Sequence, residues 1–74
     1  MDIETRLRTL EFRYRGVSST ASAAKADYLA LVNEPSATPL AIDRAKSRWE
    51  QLNALKRTIA AQMGELEELE DAPH

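Results

Sequence analysis

The sequence predicts an all-α fold: an antiparallel two-helix hairpin, packed like a coiled coil, with a surface suited to assembly into a larger helical bundle. Three observations predict it. Two glycines, three prolines and 5% aromatics, against 30% charged residues, are thin material for a sandwich or barrel and suit helices. One cluster of turn formers, Asn33-Glu34-Pro35-Ser36-Ala37-Thr38-Pro39, divides the chain. On either side of it, apolar residues recur at alternating steps of three and four, the spacing of a heptad seam.

In the first segment the seam reads Ile3, Leu7, Leu10, Tyr14, Val17, Ala21, Ala24, Tyr28 and Leu31, which predicts a helix over residues 3–33. Gly16, followed by Ser18, Ser19 and Thr20, is its weak point, with about 1 kcal/mol of lost propensity at the glycine alone. Unbroken periodicity across Gly16 favours a continuous helix over a break there. Residues 34–38 form the loop. Thr38 suits the N-cap of the second helix, and Pro39 its first position, where a missing N–H costs nothing. That helix is expected over residues 39–69. Its seam is Ile42, Ala45, Trp49, Leu52, Lys56, Ile59, Met63, Leu66 and Glu70. The acidic run Glu65, Glu67, Glu68, Glu70 and Asp71 opposes the helix dipole and is expected to fray.

Folding the chain at the loop sets the seams in mirror order: Ile3 opposite Glu70, Leu7 opposite Leu66, Leu10 opposite Met63, through to Leu31 opposite Ile42. Side-chain size fits this register, because Ala21 meets Leu52, Ala24 meets Trp49 and Tyr28 meets Ala45. Charges beside the seam are mixed. Asp27 near Arg48 is attractive, whereas Glu4 near Glu67 and Lys25 near Lys46 are not. The hairpin is expected to rest on packing and on its turn.

Composition also bounds function. A chain of 74 residues is one small domain, burying only about 60% of the surface its unfolded state exposes, with no cysteine to staple it or to bind zinc as thiolate. Residues 1–6 lack the apolar run of a secretory signal, and no stretch approaches the roughly 20 apolar residues that span a bilayer, so a cytoplasmic chain without a membrane partner is expected. With ten basic and twelve acidic residues the net charge is −2, without the positive excess of a nucleic-acid binder. Arg44, Lys46, Arg48, Lys56 and Arg57 do not share one helical face, and Asp43 and Glu50 interrupt them, so an RNA-binding hairpin dimer is the least favoured reading.

No catalytic, cofactor or metal site is expected. The single histidine, His74, is remote from any candidate nucleophile, and Ser18, Ser19 and Thr20 read as helix surface with no base beside them. The acidic run lacks the glycine turn and alternating oxygen ligands of a calcium loop. Trp49 and both tyrosines lie on the seam and read as core. More informative are the apolar residues that the seam leaves over: Phe12, Leu29, Val32, Leu55 and Leu69. Leu55 and Leu69, with Gln62 between them, widen the stripe of the second helix beyond what one partner helix covers. They predict a partner-binding face, to which Phe12 and Leu29 are further contributors.

The opening Asp2-Ile3-Glu4-Thr5-Arg6-Leu7, the length, the proline-bearing loop and the second helix around Trp49 resemble the small hairpin co-chaperones of bacterial type III secretion needle subunits. The resemblance implies a non-catalytic protein that joins a tetratricopeptide-like chaperone to keep a needle subunit soluble before export. The competing expectation is a self-associating structural or regulatory hairpin, a homodimer forming a four-helix bundle and of the kind a phage or mobile element encodes. Both use the same leftover apolar surface.

Overall fold

Asp2 sets the start of the first helix. Its backbone is extended, and its carboxylate accepts the Thr5 N–H at 2.7 Å, satisfying an amide that has no partner within the helix. The computed structural model describes residues 2–71, with side chains described as far as Leu69. Helix α1 runs Ile3–Val32 and helix α2 runs Pro39–Asp71, packed antiparallel, with no strand among the described residues. The seam position assigned to Glu70, opposite Ile3, and His74 lie outside the described side chains.

Gly16 does not interrupt α1. The helix passes through it, and the Thr20 hydroxyl donates to the Gly16 carbonyl at 3.0 Å. At its C-terminus, the Asn33 backbone N–H and side-chain amide both donate to the Leu29 carbonyl, at 3.2 and 2.9 Å. The reversal then needs no left-handed residue, since no described residue has a positive φ. Instead the Glu34 carboxylate gathers the Ser36 hydroxyl and N–H, at 2.9 and 3.3 Å, and the Ala37 N–H donates to the Glu34 carbonyl. Thr38 caps α2 as its position predicts: its hydroxyl oxygen accepts the Ala41 N–H at 3.1 Å and its carbonyl the Ile42 N–H. The acidic run stays helical through Asp71, two residues past the expected end, because glutamate and leucine are good helix formers and no glycine or proline intervenes after Gly64.

Every described seam residue is buried or half-buried, including polar Lys56. Among the described residues the buried ones are Ala21, Ala24 and Ile59. The two alanines let the helices close up beside Trp49 and Leu52, as the size pattern requires. Tyr28 stacks on Trp49 with ring centroids 5.7 Å apart, a contact between adjacent layers of the predicted register. Lys56 keeps its place on the seam by laying its ammonium over the Tyr14 ring, 5.6 Å from the centroid, again one layer away. Lys25 reaches the Trp49 ring in the same way, at 5.8 Å. Of the ion pairs among described residues, Glu4 with Arg8 at 3.0 Å is exposed and local, so charge contributes no more than a few tenths of a kcal/mol there. Ser18 departs from the surface reading: it is half-buried beside the seam, and its hydroxyl has no hydrogen-bond partner.

Candidate functional site

The two flanks of the seam differ in what they expose. In an antiparallel pair, the residues that precede the seam positions filled by Tyr14, Ala21 and Tyr28 on α1 share a flank with those that precede Trp49, Lys56 and Glu70 on α2. With Arg6 before Leu7 and Gln62 before Met63, this places Arg6, Arg13, Thr20 and Asp27 beside Leu69, Gln62, Leu55 and Arg48 in turn. Three open grooves follow one another along that flank.

The middle groove has Gly16 and Thr20 of α1 on one side and Leu55 and Thr58 of α2 on the other, with Val17, Leu52 and Ile59 from the seam at its base and Phe12 at its rim. Its polar groups make few demands. The Thr20 and Thr58 hydroxyls donate to the Gly16 and Ala54 carbonyls of their own helices, both at 3.0 Å, so neither requires a partner from outside. The groove toward the open end of the hairpin shares Arg13 and Gln62 with the first and adds Leu10, Leu66 and Leu69, with Arg6 and Glu65 at its edges. Toward the loop, the third groove is charged, with Asp27 facing Arg44 and Arg48 across Ala24 and Ala45. Asp27 and Arg48 are neighbours as the register predicts, but do not form an ion pair.

Three of the four predicted contact residues therefore come together. Leu55 is 47% exposed, Leu69 58% and Phe12, on the outer ridge of α1, 79%. Leu29 is 47% exposed but lines none of these grooves, since it follows a seam residue, Tyr28, and so faces the opposite flank. Sequence reasoning missed the role of Gly16 and Thr20. Their spacing of four puts two small residues in line, and this is what makes the α1 wall of the groove low enough to leave Leu55 uncovered.

The Asp2 carboxyl, at the helix cap, is held below the usual carboxylate range by the Thr5 backbone N–H, then by the Thr5 side chain, with Arg8 adding a smaller effect. Among the described residues no cluster of three or more carboxylate or imidazole groups is placed to hold a metal ion, and no helix is long and apolar enough to cross a membrane. Compared with protein-family models, curated proteins and solved structures, the chain shows no significant match to any.

Proposed function

We propose that this chain is a non-catalytic protein-binding module that docks against a helical partner through the flank holding Leu55, Leu69 and Phe12. One observation carries the reading: large apolar side chains line successive grooves of one flank, while among the described residues the hairpin buries only two alanines and an isoleucine. An amphipathic helix laid in that groove removes the leucines from water, at roughly 25 cal/mol per Å² before association costs are subtracted. The resemblance to needle-subunit co-chaperones gives this reading its specific form. In that form the partner is a tetratricopeptide-like chaperone, the protected cargo a needle subunit, and the place of action the cytoplasm.

The test is the double variant Leu55→Ser with Leu69→Ser. Far-UV circular dichroism is expected to stay near wild type, because both side chains lie outside the seam, while association measured by sedimentation weakens. Moderate salt is expected to have little effect, unlike binding to a phosphate backbone, where counterion release sets the affinity. Undiminished association in the double variant would assign the interface elsewhere.

A further inference from the structure

Resting on the docking reading above, we propose that the partner seated on this flank is a second copy of the chain, with the two hairpins forming a four-helix bundle about a two-fold axis that passes beside Leu55. The first support is the charge pattern. Arg6, Arg13 and Glu65 stand toward the open end of the flank, Asp27, Arg44 and Arg48 toward the loop end, and the middle groove between them has Arg13 as its one charged residue, its other polar groups being Gln62 and the Thr20 and Thr58 hydroxyls. None of these six is ion-paired with another described residue of its own hairpin. A two-fold axis across the midpoint lays the loop end of one copy on the open end of the other. Asp27 then faces Arg6 and Arg13 of the second copy, and Glu65 faces Arg44 and Arg48. Each carboxylate of the flank thus meets arginines of the second copy, the pairing an isologous interface repeats on both sides, although each end carries two arginines to one acid. Leu55, midway between the charged ends, meets its own counterpart, and the low wall at Gly16 and Thr20 leaves room for it.

Area is the second support. The molecule measures 60 × 16 × 15 Å, so one long face offers roughly 900 Å², above the ~800 Å² per partner of a standard stable interface. Its 5777 Å² of accessible surface also exceeds the roughly 4,600 Å² expected of a compact monomer of this mass.

The experiment uses the full chain and exploits its lack of cysteine. Wild type, the Leu55→Ser/Leu69→Ser double variant, and the single variants Leu55→Cys and Leu29→Cys are compared by sedimentation equilibrium from micromolar to millimolar concentration. The cysteine variants are then oxidised. A wild-type dimer, weakened roughly tenfold or more in the serine variant, with Leu55→Cys but not Leu29→Cys cross-linking to itself, is the expected result. A wild type that stays monomeric throughout overturns self-pairing, yet leaves the docking reading standing for a different helical partner. A dimer indifferent to the serine substitutions overturns both. A dimer sensitive to serine but not cross-linked through Leu55→Cys overturns the two-fold placement.

Discussion

Ile59, 5% exposed, is the one large side chain among the described residues that the hairpin buries. It forms part of the base of the middle groove, and Ile59→Ala is expected to destabilise the fold by roughly 2 to 5 kcal/mol, the range for truncating a buried aliphatic residue. Glu68→Ala, exposed near the end of α2, should change stability by no more than about 0.5 kcal/mol. Urea denaturation of the two variants checks the seam, and equal losses would show that it is assigned wrongly. Residues on the seam were legible because burial there follows from a three-four period that needs no knowledge of the partner helix. Ser18 was not, because it stands just beside the seam, where closeness of the facing helix decides whether a hydroxyl keeps its water. Leu29 shows a further step that spacing alone leaves open. Whether a leftover leucine precedes or follows a seam position decides its flank, and only by counting that offset on both helices can Leu29 be separated from Leu55 and Leu69.

Within α1, Gly16 has open space where a side chain would begin, with nothing inside 4 Å of an added Cβ, and an ordinary helical backbone. Gly16→Ala is therefore expected to stabilise the hairpin by about 0.5 to 1 kcal/mol, chiefly by restricting the unfolded chain, when measured by chemical denaturation at low protein concentration. A loss of stability would mean that α1 is broken there in solution. At the start of the same helix, Asp2 is ionised when it caps Thr5, and its folded pKa lies below the ordinary value of 3.8. A depressed carboxyl contributes stability above the unfolded value and loses it as pH falls through the folded one. The Thr5 amide is thus expected to lose protection from hydrogen exchange on acidification below about pH 4, and Asp2→Ala to lose it already at neutral pH. An unchanged Thr5 amide in Asp2→Ala would remove the cap from the account. Helix starts of this kind are written locally, in Asp2 before Ile3 and in Thr38 before Pro39, although only the second was read from the sequence. The Glu34 bonds to Ser36 were not legible, since they exist only once the loop has its shape.

At the scale of the molecule, a radius of gyration of 16.9 Å compares with the roughly 11 Å of a compact chain this long. Such a rod has little interior. If a second copy covers the flank, folding is linked to association, and the melting temperature should rise with total protein concentration. A midpoint constant from micromolar to millimolar concentration would show that the isolated hairpin supplies its own stability. The antiparallel pairing itself was readable in the sequence, because two seams of matching length in mirror order, with small residues opposite large ones, have one economical way to fold. How far the facing helix leaves Leu55 uncovered was not. That depends on Gly16 and Thr20 standing across the seam from Leu55, a juxtaposition that shows only once the helices are placed side by side.

The stacking of Tyr28 on Trp49 gives the rod an optical asymmetry. Trp49 is the sole tryptophan, so indole emission and most of the near-ultraviolet dichroism come from the loop half of the seam, while the layers around Leu10, Met63 and Leu66 are nearly dark. Far-ultraviolet signal, by contrast, sums both halves. Whether the two melts superimpose reports directly on whether so slender a molecule opens as one cooperative unit or unzips from the dark end first.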